Sequence, residues 1–195
     1  MKEKFEYFLN AVHYCIFLSQ LRLNAFFDKY VGLPFARMLE FFMSEKGKQR
    51  FRLNQQRSKK ELDDFFCSKE AGFCIGLAHH FFGFFVSSYW GLLSFIILSI
   101  LCLIFGPKAI VGDTFVFIVI VGIPIIIGYI PVYRAVFTDD RYLDYFKQFE
   151  KEDEEWHKRW KRRTWLFFIF SVVASLLGIG LLVAMLVFLE MKGYS

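Results

Sequence analysis

The sequence predicts an all-α integral membrane protein with three transmembrane helices and amphipathic cytoplasmic helices. Three observations carry that reading. Residues 81–105, 114–133 and 165–189 form apolar blocks, each about as long as the ~20 residues a helix needs to cross a bilayer core. Of 24 Lys and Arg, 13 precede the first block and 9 lie between the second and third, leaving only Lys108 and Lys192 elsewhere. This asymmetry is the positive-inside pattern, and it orients the N-terminus to the cytoplasm and the C-terminus outside, as expected for a plasma (inner) membrane protein. The composition agrees: 56% of residues are hydrophobic and 27 are Phe.

Residues 1–70 read as a cytoplasmic or interfacial amphipathic region. Phe5, Leu9, Val12, Ile16, Leu23, Phe26 and Tyr30 recur at helical spacing, the signature of one apolar face. Gly32, Leu33 and Pro34 interrupt it, and a second short helix is expected from Phe35 to Met43. A span centred here would bury Arg22 or His13, at about 2.5–3.5 kcal/mol for an arginine. The stretch is therefore expected to lie in the interface or to pack under the bundle. A fourth span over residues 5–21 is the alternative. Residues 44–70 are polar and basic, helical in part. No short apolar segment with a small-residue cleavage site opens the sequence, so the first span is expected to act as its own signal.

Residues 71–133 read as a transmembrane hairpin. Its lead-in, residues 71–80, extends the first span beyond one perpendicular crossing. Gly106, Pro107 and Gly112 mark a short external turn, and Asp113 or Thr114 can cap the second span. Pro124 falls inside that span and predicts a kink. Residues 134–164 read as a charged amphipathic helix, capped by Thr138, Asp139 and Asp140, with Glu154→Lys158 and Glu155→Arg159 at i,i+4. It ends in the collar Lys161, Arg162, Arg163, before a third span and external tail over 165–195. The cysteines Cys15, Cys67, Cys74 and Cys102 form no disulfide framework on this topology.

Functional signals are fewer. Tyr142, Phe146, Phe149, Trp156 and Trp160 form an aromatic stripe that needs an apolar cover: the lipid interface, the N-terminal helix, or a partner protein. Gly83, Ser87 and Gly91, and in the third span Ser171, Ser175 and Gly178, are small residues at the spacing that lets helices approach closely. Adjacent His79 and His80 point about 100° apart on a helix and cannot chelate one ion together. No phosphate loop, nucleophile elbow or paired span carboxylate occurs, so no catalytic residue, cofactor or metal is expected.

The expected partners are anionic headgroups of the bilayer and another membrane protein or a second copy. Acidic residues interspersed with the basic ones disfavour nucleic acid. The expected role is non-catalytic: a scaffold, assembly factor or accessory subunit acting by protein–protein contact, an immunity-type protein included. The alternative is an oligomeric transport or channel component, with Asp113 and the Pro124-kinked second span lining a path.

Overall fold

A computed structural model describes residues 2–193. In chain order it comprises α1 (Lys2–Phe27), a π turn (Asp28–Gly32), α2 (Leu33–Phe41), α3 (Glu45–Cys67), α4 (Phe73–Phe105), the short α5 (Pro107–Val111), α6 (Thr114–Val136), a 3-10 turn (Thr138–Asp140), α7 (Arg141–Phe149) and α8 (Glu154–Met191). The protein is 90% helical, with no strand among the described residues. Three helical stretches are long and apolar enough to cross a membrane: Phe73–Phe105, Thr114–Phe149 and Glu154–Met191. α1 is not among them. The architecture is thus the all-α membrane fold that the apolar blocks predict.

The chain divides into two compact units: one runs from the N-terminus to Val12 and resumes at Phe82, the other is His13–Phe81. In the first unit the three spans touch at paired levels that define their directions. Tyr89 Oη of α4 donates to Phe167 O of α8 at 2.7 Å, and Ser171 Oγ of α8 donates to Phe85 O at 3.1 Å. Further along, Gly178 of α8 lies against Leu92 and Phe95 of α4. Phe85 with Ser171, Leu92 with Gly178, and Leu98 and Cys102 with Met185 and Leu189 advance together, so the two helices are parallel. The long Tyr89 side chain reaches back along α8 to Phe167. α6 runs the opposite way: Gly128 meets Trp90, while the earlier Val121 O accepts from Ser94 Oγ at 2.9 Å. Leu98 and Cys102 of α4, Ile110 of α5, and Met185 and Leu189 of α8 close the far end as a buried cluster, with Phe117 and Ile120 of α6 packed against it.

At the opposite end the first turns of α1 complete this unit. Asn10 Nδ2 donates to Ala135 O, near the end of α6, at 3.1 Å and to Glu6 O at 2.9 Å. The nine residues from Leu9 to Phe17 are buried on all sides of the helix. A helix lying flat in an interface keeps one face wet, so this part of α1 is packed within the protein. The expected continuous apolar stripe is buried only in its middle: Leu9, Val12 and Ile16 are covered, whereas Phe5, Leu23, Phe26 and Tyr30 are exposed.

Two further expectations are corrected. Residues 134–164 do not form one helix, because α6, α7 and α8 are separated by turns. Asp139 and Asp140 adopt φ of 56° and 51°, and no side-chain cap hydrogen bond forms at α7. Aspartate tolerates the left-handed region better than most residues, so these two turn the chain rather than cap it. The cap lies later, at Asp153, whose carboxylate accepts from Trp156 N at 2.6 Å.

The second unit contains the remainder of α1, α2, α3 and the first turns of α4. Gly32, Leu33 and Pro34 do not break the helical path: the π turn leads directly into α2, with Pro34 in its first turn. The π turn just before it is the irregularity that admits Pro34, which has no N–H to donate to the preceding turn. Glu40 of α2 accepts two bonds from Arg52 of α3, at 2.9 and 3.1 Å. The Arg52 bonds hold the Glu40 carboxyl below its ordinary range. Gly72 closes the turn into α4, where a Cβ would stand 2.4 Å from Ser68 O.

Candidate functional site

The aromatic stripe folds inward. Tyr142, Phe146, Phe149, Trp156 and Trp160 are all buried. Phe149 stacks on Trp156 at 4.9 Å across the turn between α7 and α8. Tyr7 of α1 meets Phe149 and Trp160 edge-on at 5.2 and 5.7 Å, and its hydroxyl accepts from Trp156 Nε1 at 2.9 Å. Phe8 reaches Trp160 and Phe167. Of the three covers open to the stripe, the chain supplies the N-terminal helix. A partner touching Phe149, Trp156 and Trp160 must first displace α1.

The small residues divide between internal and open positions. Gly83 faces Tyr129 of α6, where a Cβ would lie 3.2 Å from the hydroxyl, and Gly178 has Phe95 at 2.8 Å. Ser171 bonds across to α4, while Ser175 Oγ donates to Ser171 O within its own helix. Gly91, with Gly122 and Gly180 on the other two spans, has open space where a Cβ would stand. Asp113 is an exposed cap, its carboxylate accepting from Phe115 N at 2.9 Å and Val116 N at 3.3 Å. Pro124 lies within α6, which is continuous from Thr114 to Val136.

Two groupings had no sequence-level prediction. The first, inside the second unit, joins His13 and His79. Their rings stack at 4.8 Å, with Nδ1 of His79 and Nε2 of His13 2.9 Å apart. Burial, with His79 beside it, holds His13 well below the ordinary histidine value, so it stays neutral near pH 7. Among the described residues no three His, Cys, Asp or Glu groups gather as metal ligands.

The second grouping is a cleft of about 630 Å³ in the first unit, walled by Phe5, Glu6, Ile130, Pro131, Arg134, Ala135, Thr138 and Arg141. Arg141 Nη1 donates to Glu6 Oε1 at 3.4 Å. Burial, then the neighbouring Glu6 carboxylate, pushes the Tyr145 hydroxyl above its ordinary value. Arg134 makes no ion pair or hydrogen bond among the described residues. A narrower cavity of about 310 Å³ adjoins the cleft, sharing Ile130 and Arg134 and continuing past Ser87, Ile125, Ile126, Tyr129 and Tyr133. The sequence signal was weak, since Arg134 reads alone as a snorkelling anchor and Glu6 lies 128 positions earlier in the chain. No family model, curated protein or solved structure matches the chain.

Proposed function

We propose that this protein is a non-catalytic membrane component that acts by protein–protein contact, as a scaffold, assembly factor or accessory subunit. The observation that carries this reading is the exposed apolar arm of the second unit. From Arg22 to Phe42 every residue except Ala36 is at least partly exposed. The arm bears Phe26, Phe27, Tyr30, Phe35 and Met38, and ends in Phe41 and Phe42, which are 82% and 78% exposed. Contiguous apolar surface on this scale marks a protein or membrane contact. The open glycines Gly91 and Gly180 support the same reading, because a further helix can approach the spans there. Asp113 serves as a cap, which lends no support to a transport path.

The test is purification from native cells in a gentle detergent, with the mass of the intact complex measured for the wild type and for F41E/F42E. The proposal expects a stoichiometric different protein that the double variant loses while remaining membrane-integrated. A bare monomer in both cases sinks it. A homo-oligomer moves the weight to the transport reading and calls for flux assays in liposomes.

A further inference from the structure

We propose that the groove along α6 binds one anionic phospholipid, with its phosphate between Arg134 and Arg141 and an acyl chain along Ile130, Ile126 and Ile125. Charge and shape argue for this independently. The wide cleft sets two guanidinium groups against one carboxylate, that of Glu6. The net single positive charge matches the single negative charge of a phosphodiester. Arg141 makes one long contact to Glu6, and a guanidinium offers five N–H donors. Donors on both arginines therefore remain for phosphate oxygens, which guanidinium groups bind in charge-assisted pairs.

The narrow cavity supplies the second argument. It leads away from Arg134 along an isoleucine-lined wall of a spanning helix. Nine residues separate Ile125 from Arg134, a rise of about 14 Å at 1.5 Å per residue. That is close to one leaflet, half of the ~30 Å hydrocarbon core. Arg134 stands at the end of the apolar block, where a headgroup sits. A soluble phosphate would leave the isoleucine wall empty, and an apolar partner helix would leave Arg134 without an opposite charge. A phospholipid matches both parts. The collar Lys161, Arg162 and Arg163 attracts anionic headgroups through charge alone, and it lines neither of these cavities.

The test uses the full chain, purified and delipidated in detergent, with native mass spectrometry during titration with dioleoyl phosphatidylglycerol or dioleoyl phosphatidylcholine. The expected result is one retained phosphatidylglycerol at concentrations where phosphatidylcholine is not retained. R134Q should weaken retention about fivefold and R134Q/R141Q about 25-fold, taking ~1 kcal/mol for each surface arginine. K161Q/R162Q/R163Q should leave retention unchanged. If removing Arg141 unfolds the chain through its Glu6 contact, R134Q alone decides, because that side chain makes no ion pair or hydrogen bond among the described residues. Ile126→Trp, which fills the narrow cavity, should lower retention of phosphatidylglycerol. Equal retention of the two lipids, or a collar variant as damaging as R134Q, overturns the proposal. Glycerol phosphate bound as tightly as the lipid would assign the cleft to a soluble phosphate and overturn the acyl-chain half.

Discussion

Replacing Gly128 by alanine is the sharpest probe of the span packing. A Cβ built there stands 2.0, 2.1 and 2.5 Å from Cδ2, Cε2 and Cγ of Trp90. Carbon atoms in contact sit about 3.5–4.0 Å apart, so the indole must retreat by about 1.5 Å or α4 and α6 must separate. Retreat forces Trp90 off its rotamer, at about 0.5–1.5 kcal/mol. Separation stretches the Ser94 Oγ bond to Val121 O, and interhelical bonds in membranes average about 0.6 kcal/mol. Either route also loses packing around the ring. Overpacking of this kind costs about 1–3 kcal/mol, and about 2 kcal/mol is expected for G128A.

The assay is reversible unfolding in mixed micelles, followed by circular dichroism, for the wild type, G128A, W90L and the double variant. In the W90L background the alanine should cost less than about 0.5 kcal/mol, because the colliding atoms are gone and the cycle isolates that one contact. A wild-type G128A cost below about 0.5 kcal/mol would falsify the α4–α6 register. So would an equal cost with and without the indole.

Three other variants address the remaining elements. Tyr7→Phe keeps the ring contacts but removes the acceptor for Trp156 Nε1, so unfolding should shift by about 1 kcal/mol; no shift would place the hydroxyl elsewhere. Asp113→Ala should cost about 1 kcal/mol as a lost cap and Asp113→Asn only a few tenths; loss of ion flux in D113N with stability intact would instead revive the transport reading. His13 gives a pH signature. Above its unfolded value of about 6.5 both states are neutral, and below it the unfolded chain binds a proton that the buried imidazole refuses. Stability should therefore fall with falling pH, by up to about 1.4 kcal/mol per unit, until the folded histidine also protonates. The difference in Tm between wild type and H13Q, followed from pH 7.5 to 5, should show this slope, and parallel curves would refute it.

The spans were legible because lipid imposes a single rule: about twenty apolar residues with every backbone group bonded within the helix. That rule survives in linear sequence. Asp113 was legible for a similar reason, since a cap bonds backbone groups two and three residues away. The interior of α1 was not. Asn10 and His13 interrupt its apolar face and argue for a wet surface, yet both are fully buried: Asn10 bonds Ala135 O, 125 positions away, and His13 pairs with His79. Periodicity reports which face is apolar, not whether distant polar groups will satisfy the other face. Asp139 and Asp140 failed differently. The same residue type suits a helix cap and a left-handed turn, and only the chain path after α6 selects between them.

The two ends of the first unit are held by different forces. Within the spans, exchanging lipid for a neighbouring helix gains no hydrophobic free energy, so contact relies on close approach and shared bonds. Gly83, Gly128 and Gly178 provide the approach, and the hydroxyls of Tyr89, Ser94 and Ser171 each donate to a carbonyl of another span. The segment before the third apolar block is charged, and wherever water is the solvent burial becomes the driving term. There the contacts are aromatic: Tyr7, Phe149, Trp156 and Trp160, with Arg163 stacked over Trp160 at 4.9 Å. This division explains why aromatic residues from three helices converge at that end while small residues mark the spans. It also places the vulnerable joint. Urea weakens apolar burial exposed to water but scarcely reaches the lipid-covered spans, so α1 should release from α7 and α8 while α4, α6 and α8 remain assembled.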